Sequence, residues 1–125
     1  MNKTIYFLFV MVSCTISGQQ SSEVISAEKL IELKSEGIKV IDIRTKGEYD
    51  QGHIPGVIHI DFLGDDFLEK IRKEGASEPI IIHCASGGRS AKAAKILKED
   101  GFERVYDYSG GFKEWSSKGL EIERE

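Results

Sequence analysis

The chain has 125 residues, enough for one compact core and too few for two. Apolar residues make up 40%, which excludes a disordered or fibrous chain, and two cysteines are too few for a disulfide framework. With 17 Lys and Arg against 21 Asp and Glu the net charge is -4, and no basic run offers a surface for nucleic acid.

Residues 1–20 read as an export signal with a short linker, not as fold. Lys3 supplies positive charge, and Ile5 to Val12 form an apolar run that suits a signal peptide and is too short to span a bilayer. Met11-Val12-Ser13-Cys14 resembles a bacterial lipoprotein box, which would place a lipid on Cys14 and tether the protein to the cell envelope. Cleavage near Ser17 or Gly18 is the alternative and leaves a soluble periplasmic protein. In both cases Cys14 and Cys84 are not expected to pair.

The remaining chain alternates strand and helix. Glu23-Val24-Ile25 starts extended, and Ser26 is a good cap for a helix over Ala27 to Ser35 that Gly37 ends. Val40 to Ile43 reads as a buried strand, with Asp42 and Arg44 at its carboxyl end, followed by a helical turn at Lys46 to Asp50. Gly52-His53-Ile54-Pro55-Gly56 is a turn by composition, and Val57 to Ile60 is a short strand. A helix is expected from about Asp65 to Lys73. Pro79 precedes Ile80-Ile81-Ile82-His83-Cys84, whose β-branched run suits a central parallel strand covered on both faces. Ser90 to Glu99 reads as a helix with Ala91, Ala94, Leu97 and Ile96 on its buried side. Val105-Tyr106 is a last strand, and Gly110-Gly111 lead into a helix from Phe112 to Ser117. This alternation predicts an α/β fold around a parallel sheet, whose ligands sit beyond the carboxyl ends of the strands. Asp42, Arg44 and Cys84 all fall there.

Cys84-Ala85-Ser86-Gly87-Gly88-Arg89-Ser90 then reads as a cradle. Gly87 and Gly88 let successive amides turn inward, and the first turn of the next helix adds free N–H groups. A thiolate at the centre gains several donors, which lowers its pKa.

These stretches resemble the rhodanese-like sulfurtransferase family. Asp42-Ile43-Arg44 through Glu48-Tyr49 and Gly52 to His59 resemble its first signature; Cys84 to Ser90 its active-site loop; Tyr108-Ser109-Gly110-Gly111-Phe112 through Trp115 its last signature. The resemblance implies a rhodanese-like domain over 21–125, three-layered, with a mostly parallel five-stranded sheet and helices on both faces. It implies a Cys84 nucleophile that takes a sulfane sulfur from thiosulfate or a persulfide donor, holds it as a persulfide and passes it to cyanide or a thiol, with no cofactor or metal. The partners are then a small-molecule sulfur donor and acceptor, or a protein acceptor. Nothing points to an oligomer, and a monomer is expected.

Around the thiol, Arg89 is expected to pair with Asp42 and fix the loop, with added positive potential as its other role. Arg44 either steers an anionic donor or pairs with Glu48, four residues on. Ser86 either bonds the bound anion or simply fits a tight turn, and Ser90 caps the helix. His83 is expected to pack, because neighbouring strand side chains face opposite ways; His53 holds its turn, and Tyr108 and Trp115 pack. Some related enzymes carry a basic side chain directly after the cysteine or in the middle of this loop. Ala85, Ser86, Gly87 and Gly88 here point towards a persulfide, polysulfide or protein donor instead of thiosulfate. Phosphatases and arsenate reductases of similar architecture place five residues between cysteine and arginine. Four residues separate Cys84 from Arg89, and the smaller cradle suits one sulfur atom better than phosphate. A non-catalytic binding module is the rival from another class.

Overall fold

The computed structural model describes Val10 and residues 21–125; apart from Val10, the expected export segment and Cys14 lie outside the described residues. In chain order the elements are β1 (Ser21–Val24), α1 (Ala27–Ser35), β2 (Lys39–Asp42), α2 (Lys46–Gln51), β3 (Ile58–His59), α3 (Phe67–Arg72), β4 (Ile80–His83), α4 (Gly88–Glu99), β5 (Arg104–Asp107) and α5 (Gly111–Ser117).

Local chemistry sets several boundaries. The Ser26 hydroxyl accepts the Lys29 N–H at 3.1 Å and starts α1. Gly37 takes a φ of +92° just past its end, a conformation that costs glycine little. Thr45 and Glu48 form a reciprocal capping box at the start of α2.

The strands form one sheet in the order β1-β5-β4-β2-β3, with every neighbouring pair parallel. The β4 residues are all buried. Their alternation sends Ile80 and Ile82 towards Phe67 and Ile71 of α3 and Ala93, Ala94 and Leu97 of α4. Ile81 points the other way, towards Leu30 and Leu33 of α1 and Trp115 of α5. Helices therefore cover both faces, as expected. After β2 the chain proceeds outward to β3, and after β4 it proceeds the other way to β5. The crevice between the carboxyl ends of β2 and β4 is a topological switch point, where open parallel sheets place their ligands.

Two details depart from expectation. α4 begins at Gly88, two residues before Ser90, because Gly87 turns into the helix from a left-handed φ of +98°. Its buried face is Ser90, Ala93, Ala94 and Leu97, an i, i+3, i+4, i+7 series, and Ala91 is exposed beside it. The C-terminal segment also returns to the signature turn: His53 and Glu123 exchange backbone hydrogen bonds of 2.8 and 2.9 Å. Local patterning carried no sign of that bridge.

Ile82 is fully buried at the centre of the sheet. Ile82→Ala should lower the unfolding free energy by about 2–5 kcal/mol in a urea titration, from lost burial plus the cavity left behind.

Candidate active site

Cys84 follows β4 directly and is 1% exposed. The Gly87 N–H donates to its Sγ at 3.1 Å, and the Ser90 Oγ lies 3.7 Å away. Burial pushes the thiol up. The backbone and hydroxyl of Ser90 and the backbone N–H groups of Gly87 and Ser86 outweigh it, so the thiol lies below its ordinary value.

Amides can face inward only if the loop carbonyls face outward and find partners. The first turn of α5 supplies them: the Phe112 N–H donates to Cys84 O at 2.9 Å, and Lys113 N–H to Ala85 O at 3.0 Å. That docking is tight. A Cβ at Gly111, whose φ is +67°, would lie 2.5 Å from Ala85 O; one at Gly87 would lie 2.6 Å from Ser109 O. Both glycines are sterically required. Ser86 is exposed at the loop tip, and Gly88 opens α4.

The expected Asp42–Arg89 pair does not form. Asp42 and Arg44 are two residues apart where β2 ends and leave on the same side. Arg44 Nη2 lies 2.7 Å from Asp42 Oδ2, Nε lies 3.0 Å from Oδ1, and the Arg44 N–H also donates to Oδ1 at 3.0 Å. Nη2 donates further to Gly52 O at 2.7 Å, and the guanidinium lies 4.2 Å over the Phe112 ring. Both partners are buried, at 0% and 3% exposure. Arg44 therefore neither reaches Glu48 nor faces an incoming donor.

Arg89 turns instead to α2 and binds Glu48 through two hydrogen bonds of 2.7 and 2.9 Å. The Arg89 guanidinium, with Thr45 helping and burial opposing, holds the Glu48 carboxyl at about 2. Glu48 thus caps α2 and anchors the loop at once. The Thr45-x-x-Glu48 spacing was the readable sign of the first task; the second depends on α2 meeting the start of α4. Ser90 does not cap. It is the third residue of α4, and its hydroxyl lies between Cys84 Sγ and Gly87 O, 3.3 Å from the latter.

His83 lies beneath the loop, with Nδ1 3.0 Å from Cys84 O. A carbonyl only accepts, so Nδ1 carries the hydrogen. Burial holds the ring below its ordinary pKa despite Asp42, whose Oδ2 is 3.7 Å from Nε2. His83 is thus a neutral support for the loop backbone. Tyr49 stacks between His53 and His59, at centroid distances of 3.9 and 4.6 Å. His53 Nδ1 bonds Tyr49 O at 3.0 Å and His59 Nε2 bonds Arg44 O at 2.7 Å, which ties the signature turn to the end of β2. Tyr108 and Trp115 are buried edge to face, and the Tyr108 hydroxyl also donates to Glu114 at 3.0 Å.

The Rhodanese-like domain profile matches residues 26–118, and the chain belongs to that family. It is 38% identical over 94 residues to thiosulfate sulfurtransferase 16, chloroplastic, of Arabidopsis thaliana, covering 67% of this chain and 78% of that one. It is 36% identical over 110 residues to the putative sulfur carrier protein YrkF of Bacillus subtilis, covering 81% of this chain and 58% of that one. Among solved structures it is similar to a rhodanese-related protein of Thermoplasma volcanium, with a TM-score of 0.72, 28% identity, and coverage of 82% and 99%. These relationships support a sulfurtransferase function of the general rhodanese type.

The two ion pairs should respond differently to substitution. Asp42→Ala strands a buried guanidinium and should cost about 3–5 kcal/mol in denaturant unfolding. Glu48→Ala removes a half-exposed partner and one side of a capping box and should cost about 1 kcal/mol. Because the Glu48 pKa is depressed from 4.5 to about 2, its contribution is complete above pH 4.5 and lost as pH falls towards 2. Unfolding curves for the parent and Glu48→Ala should converge across that window.

Proposed function

We propose that the protein is a sulfurtransferase in which Cys84 carries the sulfur as a persulfide. The observation behind this reading is the convergence of the Gly87, Ser86 and Ser90 donors on a free thiol at the sheet's switch point. The Cys84 thiolate attacks the outer sulfur of the donor. The donor's sulfur–sulfur bond breaks, and its electron pair leaves with sulfite or a thiolate. The terminal sulfur of the Cys84 persulfide then bears the negative charge, within reach of the same amides. An acceptor thiolate or cyanide attacks that terminal sulfur and releases the Cys84 thiolate.

Both arginines near the loop are paired with carboxylates, and no basic side chain lies between Cys84 and Arg89. The site thus attracts a small anion through amides, not through free side-chain charge. That favours a persulfide donor over thiosulfate. The likeness to a putative sulfur carrier protein supports a second reading, in which the same persulfide is relayed to a protein thiol. Residues 1–20 retain their reading as an export signal, which the N-terminal mass of the native protein tests.

Intact mass spectrometry after incubation with thiosulfate or with glutathione persulfide tests the main reading. The parent should gain one sulfur atom, about 32 Da, and lose it to cyanide as thiocyanate, while Cys84→Ala gains nothing. Glutathione persulfide should load it faster than thiosulfate. A folded, reduced parent that gains no mass with either donor would leave a binding module as the better account.

A further inference from the structure

A cleft of about 330 Å³ lies between β1 and α4, and Cys84 is not part of its lining. Over β1, the outermost strand, α4 presents Ala91 and Ala94, which are too short to fill the space above the sheet. In register, Ser22 and Val24 lie beside Val105 and Asp107. Val105 packs on the α3 and α4 side of the sheet, and Tyr106 packs on the other. Alternation therefore sends Asp107, Ser22 and Val24 towards α4, and sends Glu23 away from it. Val24 is 67% exposed there.

Charge in this cleft is divided between its two ends. Asp107 is at the inner end, 4% exposed, and its Oδ1 is enclosed with no hydrogen-bond partner. A buried carboxyl without donors is costly, and no described arginine meets it as Arg44 meets Asp42. At the outer end stand Lys95 and Lys98, one turn apart on α4 and both exposed. Among the described residues neither lysine forms an ion pair, with Asp107 or with any other acid. Between the two ends the walls are small and apolar. The cleft thus complements a small molecule that carries a cationic donor, an anionic group and a short apolar body.

We propose that the cleft between β1 and α4 binds a small zwitterion of the α-amino acid class. The ligand ammonium donates to the Asp107 carboxyl, and the ligand carboxylate lies against Lys95 and Lys98. A short aliphatic side chain packs on Val24, Ala91 and Ala94. The ammonium supplies the donor that the fold does not provide. It also favours the ionised form of Asp107, which burial disfavours. Binding makes no use of Cys84, so the proposal is independent of sulfur transfer.

A ¹H–¹⁵N NMR titration of the full-length protein with L-valine tests it. Saturable shifts should fall on Ser22, Val24, Ala91, Ala94 and Asp107. Isovalerate lacks the ammonium and isobutylamine lacks the carboxylate, and each should bind at least about tenfold more weakly than L-valine. Asp107→Asn should weaken L-valine by a similar factor, as should Lys95→Gln combined with Lys98→Gln at two exposed positions. L-Valine should also lower the midpoint of the Asp107 carboxyl ¹³C titration, because a bound cation stabilises the carboxylate. Lack of saturable shifts, equal affinity for isovalerate, or an unmoved Asp107 midpoint would each overturn the proposal. Should Asp107→Asn fail to fold, the lysine substitutions and the two half-ligands decide the matter without it.

Discussion

A sulfur anion placed at the end of a buried strand is unstable unless several N–H donors face it. That requirement shapes the active edge. Donors turn inward only when the same peptides turn their carbonyls outward, and an outward carbonyl inside a protein also needs a partner. Phe112 and Lys113 meet it by capping Cys84 O and Ala85 O with the first amides of α5. The close approach demands glycine at 111, and the turn into α4 demands it at 87. Two glycines distant in sequence therefore serve one purpose, and the C-terminal helix is as much a part of the sulfur cradle as the loop itself.

Charge is arranged around this cradle rather than inside it. Arg44 is locked onto Asp42 below the loop, where it holds the end of β2 against the signature turn through Gly52 O. Arg89 is held to one side by Glu48, at a half-exposed site where the pair locks geometry and adds little stability. What stabilises negative charge at Cys84 is then a set of peptide dipoles and the amino end of α4, which are in place before any substrate binds. On the proposed sulfur-transfer reading, such a site would recognise a single charged sulfur without prescribing what the rest of the donor looks like.

The order of elements was legible because its signs are local. The apolar run into Cys84, the Gly-rich loop and the alternating helices follow from residue patterning alone. The partners of the charged residues were not legible. Arg89 meets Glu48 only because α2 packs beside the start of α4, a long-range fact that no spacing encodes. Asp42 pairs with Arg44 because the strand ends with both on one side, and that was open to reading from a two-residue separation. Ser90 looked like a cap since serine favours that position. Gly87 supplied the turn instead, which placed Ser90 one helical turn further in, against the sulfur.

Asp42 and Asp107 show how one sheet edge handles two buried carboxylates in opposite ways. Both are last residues of strands flanking β4, and both are almost wholly buried. Asp42 sits among donors from Arg44 and is fixed by them. Asp107 has no such donors: its Oδ1 is buried without a hydrogen-bond partner, and burial raises its pKa. A permanently charged carboxylate on each side of β4 would raise the cost of a thiolate between them. On the β2 side, Arg44 offsets that cost by compensating Asp42. The compensation of Asp42 by Arg44 therefore answers the same electrostatic requirement that turns the loop amides inward.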